Sequence, residues 1–157
     1  MILTIYLPAD KNSLDSRDTA PAGITEKPNS VLGHILVMDD EVSVRELFSS
    51  MLESCGYKVD FATDGAEALA KRTSASKTDR PFDIIILDLT IPGGKGGKEI
   101  ITELLAVDPQ VKVIISSGYA TAPIMANYGD YGFSGRLTKP FTLTVMEKEV
   151  GRVMELR

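Results

Sequence analysis

From His34 onward, short apolar runs alternate with stretches in which apolar residues recur at helical spacing. Ile35-Leu36-Val37-Met38 reads as a buried strand, because consecutive apolar residues leave neither face of a strand for water. Val44, Leu47, Phe48, Met51 and Leu52 then fall at i, i+3, i+4, i+7 and i+8, one face of a helix, and Gly56 suits the position just past its end. Val59 and Phe61 mark a short second strand. Asp64 and Glu67 have the spacing of a capping box ahead of Ala68, Leu69 and Ala70, and Ser74 to Pro81 is a polar loop. Ile84-Ile85-Ile86-Leu87 is apolar on both faces and predicts a central third strand. A glycine-rich loop, Gly93 to Lys98, leads to a helix near Ile100 to Val107; rich in Gly, it is expected to be mobile. Val111 to Ile115 predicts a fourth strand, Ala122 to Tyr128 a weaker helix, and Gly135 to Thr138 a short fifth strand. Leu143, Met146, Val150 and Val153 give the last helix its apolar face.

Five βα units in a row predict an α/β fold, a parallel sheet with helices on both faces. Ahead of them, residues 9–33 are dominated by Asp, Ser, Asn, Lys, Pro and Gly and read as a linker. Leu3 to Leu7 before the linker is strand-like. The chain has 157 residues, one domain with a tail to spare. Lys and Arg total 17 against 22 Asp and Glu, a formal charge of −5, which argues against nucleic-acid binding by a general basic surface. Cys55 is the single cysteine, so no intrachain disulfide forms; a reducing cytoplasm fits. No apolar run approaches the roughly 20 residues of a membrane span. The apolar start lacks a basic region and is cut short by Pro8 and Asp10, unlike a signal peptide.

Ligands of parallel sheets bind outside the carboxyl ends of the strands. The first strand ends in Asp39-Asp40, the third in Asp88, the fourth in Ser116-Ser117 and the fifth in Lys139-Pro140. A parallel sheet gathers these at one edge. Crowded carboxylates repel, and a hard divalent cation such as Mg²⁺, which prefers oxygen ligands, relieves that repulsion. A Lys and a hydroxyl nearby suit a further anion, most simply a phosphoryl group.

These residues, in order and at this spacing, resemble the receiver domain of two-component response regulators over about residues 34–157. The acidic pair matches Asp39 and Asp40, and the phosphoacceptor matches Asp88 in Ile86-Leu87-Asp88-Leu89-Thr90. The hydroxyl residue matches Ser117 before Gly118, and the Lys-Pro pair matches Lys139-Pro140. The resemblance implies a flavodoxin-like, doubly wound five-stranded parallel sheet of order 2-1-3-4-5 with helices on both faces. It implies that Asp88 takes a phosphoryl group from a phosphohistidine. Asp40, Asp88 and the Thr90 main-chain carbonyl would hold Mg²⁺, with Asp39 acting through water or as a weaker ligand. Ser117 and Lys139 would contact the phosphoryl oxygens, and Ser117 would bias a pre-existing equilibrium of the surface around helix four and strand five. The domain would thus catalyse its own phosphorylation and hydrolysis. Pro140 is a candidate for a cis bond.

Leu3-Thr4-Ile5-Tyr6-Leu7-Pro8 resembles the last strand of the ATP-binding domain of hybrid histidine kinases. That implies a remnant of a preceding domain at 1–8, a linker at 9–33, and the C-terminal receiver of a hybrid sensor kinase at 34–157. The implied partner is the kinase domain of the same protein or a histidine phosphotransfer protein, with no nucleic acid and no direct membrane contact. The implied location is cytoplasmic, tethered to the inner membrane through the parent kinase where that kinase is anchored.

Several positions carry plainer readings. Asp39 and Asp40 could cap a helix, Ser116 reads as structural, and Cys55 as a packed thiol. His34 stands at a strand entrance rather than on an exposed helix, a poor place for a phosphohistidine. The position three before Lys139, aromatic in many receivers, is Arg136, so an aromatic switch is in doubt. The glycine loop fails as a P-loop, because Glu99 follows Lys98 and Pro92 stands where the first Gly belongs. A phosphatase of the haloacid dehalogenase type would carry a second Asp where Thr90 stands. A receiver-like module that binds partners without phosphorylation is the remaining alternative.

Overall fold

A computed structural model of the chain describes residues 30–79 and 81–156. The strand expected at 3–7, the kinase remnant at 1–8 and the linker as far as residue 29 lie outside the described residues. Strand β1 (Gly33–Met38) is followed by helix α1 (Val42–Ser54), β2 (Tyr57–Ala62), α2 (Gly65–Ala75) and β3 (Ile84–Asp88). Then come α3 (Gly97–Val107), β4 (Lys112–Ser117), α4 (Pro123–Ala126), β5 (Gly135–Thr138) and α5 (Leu143–Met154). The five strands form one parallel sheet in the order β2-β1-β3-β4-β5, the flavodoxin-like order.

Side chains alternate across a strand, so each apolar run feeds two layers. Ile35, Val37, Ile84, Ile86, Ile114 and Leu137 face α1 and α5, where Phe48, Leu52, Met146, Val150 and Val153 complete one core. Leu36, Met38, Ile85, Leu87, Val113 and Ile115 face α2, α3 and α4, where Ala68, Ile100, Ile101, Leu104 and Met125 complete the other. Strands β1, β3 and β4 are interior and almost wholly buried, which is why they read as unbroken apolar runs. The domain begins slightly ahead of His34: β1 starts at Gly33, and the Leu32 amide donates to the Gly56 carbonyl. Among the described residues no helix is long and apolar enough to cross a membrane.

Three local features differ from the pattern expected. Leu47 is 48% exposed: it lies at the margin of the α1 stripe, and Phe48 and Leu52 form its buried centre. The expected helix over 122–128 is a single turn, α4, followed by a 3-10 turn over Tyr128–Tyr131. Asn127 and Gly129 are poor helix formers, and Gly132 at φ +95° turns the chain so that Phe133 is buried. The fourth strand extends through Ser117, which brings both serines into the sheet.

In the loop after β3, Gly96 and Gly97 serve close approach, while Gly93 adopts φ +74° in open space. A Cβ on Gly96 would meet the Leu89 carbonyl oxygen at 2.3 Å, and one on Gly97 would meet Ile115 at 2.8 Å. The Gly65 amide at the head of α2 donates to the Lys95 carbonyl at 2.7 Å. Glu99 folds back to accept the Gly96 amide at 2.9 Å, closing the start of α3. The loop that leaves Asp88 is thereby pinned to two helices.

Candidate functional site

The register sets the chemistry. Met38 pairs with Leu87 and Asp88 with Ser116, so the residues that end β1, β3 and β4 arrive at one rim. Asp39 follows β1 and is 1% exposed. One of its oxygens accepts the Glu41 amide at 2.9 Å, at the start of α1; the other accepts the Lys139 ammonium at 2.8 Å. The cap position of α1 is Glu41, so neither Asp39 nor Asp40 is the helix cap. Asp40 is exposed beside the rim. Lys139 follows β5 and spans the site, with its ammonium also 3.7 Å from Asp88. The Lys139–Pro140 peptide bond is cis.

Carboxylate oxygens of Asp39, Asp40 and Asp88 lie within 4.8 Å of one another. Burial pushes the Asp88 carboxyl up from 3.8 to about 6. The Lys139 ammonium opposes that rise, Asp39 and Asp40 add to it, and the Leu89 amide opposes it. Three carboxylates this close, two of them largely buried, form an all-oxygen donor set of the kind a hard divalent cation occupies. Asp88 lies at a cleft of about 660 Å³ with Asp40, Thr90, Ser117, Tyr119 and Lys139. Ser117 is buried, and its hydroxyl accepts the Tyr119 amide at 3.0 Å.

The structure therefore brings Asp39, Asp40, Asp88, Thr90, Ser117 and Lys139 to one place. Arg45 of α1 joins them without a sequence signal, donating to the Asp39 carbonyl at 2.6 Å. Tyr119, 70% exposed, stands at the mouth; its signal was a large aromatic in a polar loop. Arg136 reaches away from the site: its guanidinium donates to the Met125 carbonyl at 2.6 Å and lies 5.8 Å from the Tyr128 ring centre. It therefore ties β5 to the last residues of α4. His34 sits at the far end of β1, bonded to Asp60 at 2.8 Å and packed on Phe82. Cys55 is half-buried against the α1–α5 layer.

Residues 35–151 match the response regulator receiver domain family, and the chain belongs to it. It is a receiver domain of two-component signalling. It is 28% identical over 123 residues to sporulation initiation phosphotransferase F of Bacillus subtilis, covering 78% of this chain and 94% of that one. It is 30% identical over 156 residues to the sensor kinase CckA of Brucella abortus, covering 96% of this chain but only 16% of that protein. Among solved structures, the receiver domain of sensor histidine kinase PA1611 from Pseudomonas aeruginosa superposes with a TM-score of 0.67 at 25% identity. The match covers 79% of this chain and 98% of that one, and that structure holds a magnesium ion in its active-site cleft.

Proposed function

We propose that Asp88 accepts a phosphoryl group from a phosphohistidine, and that this shifts the surface built by α4 and β5. The observation that carries the reading is the convergence of Asp39, Asp40, Asp88 and Lys139 at the open rim of the sheet. Phosphoryl transfer needs positioning and charge neutralisation more than covalent help, and these groups supply both. Asp40, Asp88 and the Thr90 carbonyl would hold Mg²⁺, with Asp39 acting through water or as a weaker ligand. When bound, Mg²⁺ supplies charge neutralisation to the phosphoryl oxygens. The oxygen donor set fits that ion, and the magnesium in the PA1611 receiver supports it.

The chain's own residues do the rest. An Asp88 oxygen bonds to phosphorus as the phosphorus–nitrogen bond of the donor breaks, and the electron pair leaves with the imidazole. Lys139 turns its ammonium from the Asp39 and Asp88 carboxylates toward the new phosphoryl oxygens. Ser117 gives up the Tyr119 amide and donates its hydroxyl to a phosphoryl oxygen. That motion draws on the β4–α4 loop, which leads into α4, where Arg136 of β5 holds the Met125 carbonyl; it is the route by which the α4–β5 surface shifts. The likeness to a sensor kinase over nearly the whole chain supports a place in such a kinase. The partner is then its own histidine kinase domain or a histidine phosphotransfer protein, on the cytoplasmic side.

Intact mass after incubation with acetyl phosphate, with and without Mg²⁺, tests the reading. The expected result is a Mg²⁺-dependent gain of one phosphoryl group by the wild type and none by Asp88→Asn. Labelling of the Asn variant at the wild-type rate would move the acceptor elsewhere. No uptake by the wild type from acetyl phosphate or from a cognate kinase would favour a phosphorylation-independent binding module.

A further inference from the structure

β4 ends in two hydroxyls, and the proposed reaction uses only one. Ser116 is 1% exposed, and its hydroxyl has no hydrogen-bond partner. The register places it directly beside Asp88 on the neighbouring strand, and neighbouring strands stand about 4.8 Å apart. Alternation fixes its face. Ile114 and Ile86 both face the α1–α5 layer, so Ser116 and Asp88, each two residues further on, share that face. Asp39 and Lys139 follow Val37 and Leu137 on the same face. Ser117, one residue on, lines the open cleft with Asp88 and Lys139, and Ser116 is not among that cleft's lining residues. The face thus ends in a row of Asp39, Asp88 and Ser116, with the Lys139 ammonium reaching back to both carboxylates.

A hydroxyl can donate one bond and accept two, and a buried one left without any is costly. The polar groups that end its own face are those of the phosphorylation site. Resting on the receiver reading, we propose that Ser116 is a positioning residue for loss of the phosphoryl group. Its hydroxyl donates to the Asp88 oxygen that does not carry phosphorus. In hydrolysis a water oxygen bonds to phosphorus, and the bond from phosphorus to the Asp88 oxygen breaks. Its electron pair returns to the carboxylate, and the water's proton passes to solvent as inorganic phosphate leaves. Negative charge therefore grows on the Asp88 carboxylate along the reaction. A donor on its second oxygen binds more strongly in the transition state than in the acyl phosphate, which speeds the step. Ser116 in this way shortens the life of the phosphorylated state, while Ser117 reads the phosphoryl group itself.

The test compares wild type, Ser116→Ala and Ser116→Thr, each phosphorylated with acetyl phosphate and Mg²⁺ and then freed of donor. Decay is followed by intact mass, and the acyl-phosphate carbonyl stretch by difference infrared spectroscopy with ¹³C-labelled aspartate. Ser116→Ala is expected to lengthen the lifetime about fivefold, the worth of one hydrogen bond. It should also move the carbonyl stretch to higher wavenumber, because the donor to that oxygen is gone. Ser116→Thr keeps the hydroxyl and should return both readouts toward wild type. A wild-type lifetime and an unmoved stretch in Ser116→Ala overturn the proposal, as does a Thr variant that behaves like Ala. Failure of the wild type to take up phosphoryl at all overturns the phosphoacceptor reading and this inference with it; uptake with unchanged decay overturns this inference alone.

Discussion

Asp88 answers to two opposed requirements. A nucleophile must carry its charge, and a site that excludes water makes that charge costly. Burial raises its pKa to about 6 from 3.8, so the folded protein holds that proton more tightly than the unfolded chain does. By linkage, stability then falls as pH rises from about 4 through 6, and the full penalty is present above that window. A shift of about 2 units corresponds to roughly 3 kcal/mol at most. Asp88→Asn removes the charge and keeps the shape. In urea unfolding with chelator present, it should stabilise the protein by about 1–3 kcal/mol at pH 7.5 and by no more than about 0.5 kcal/mol at pH 4. An equal gain at both values would show that the charge of Asp88 is not the cause. Asp39 and Asp88 were legible in the sequence because each directly follows an apolar run, while Asp40, Ser117 and Lys139 were legible from their place in the receiver pattern at strand ends, positions that parallel topology sends to one rim. Arg45 was not legible, because its contact with the Asp39 carbonyl comes from the angle at which α1 leaves β1.

At the scale of elements, strands were easier to read than the segments between them. Four consecutive apolar residues in β1 and β3 admit few other interpretations. The region after β4 mixes Pro123, Asn127 and Gly129, and its path is set by where Phe133 must be buried, which local spacing does not encode. The β3–α3 loop shows the same limit from the other side. Its glycines suggest freedom when read singly, yet Gly96 and Gly97 are in close contact with their surroundings. Gly96 meets backbone: a Cβ there would lie 2.3 Å from the Leu89 oxygen, and backbone cannot swing aside as a side chain can. Gly96→Ala should therefore cost about 2 kcal/mol or more in stability and slow phosphorylation, because the strain falls on the residue after Asp88. Gly118→Ala, where a Cβ would meet nothing within 4 Å, should cost no more than about 0.5 kcal/mol. Thermal melts of the two variants check this pair, and a tolerated Gly96→Ala would mean the loop moves freely after all.

The whole molecule couples the site to the fold, because one sheet carries both cores and its rim carries the charges. Anything that neutralises the rim in the folded state alone stabilises every element at once. A cation present at one hundred times its dissociation constant adds about 2.7 kcal/mol, a rise of several degrees in melting temperature for a domain of this size. Mg²⁺ should therefore raise the wild-type melting temperature in proportion to the logarithm of its concentration. The gain should shrink below pH 6, where Asp88 holds its proton. Asp40→Ala removes one of the three carboxylates and should abolish most of the gain. Lys139→Ala acts in the opposite direction. Its ammonium sits 2.8 Å from Asp39 and 3.7 Å from Asp88, so it already neutralises part of the charge that Mg²⁺ would meet. Without it the metal-free protein should melt lower, and the increment from Mg²⁺ should be larger than in the wild type. A wild type indifferent to Mg²⁺, or an Asp40→Ala variant with an undiminished gain, would separate the acidic cluster from metal binding. A Lys139→Ala variant with a smaller gain than wild type would show that the ammonium helps hold the site open for the metal rather than competing with it.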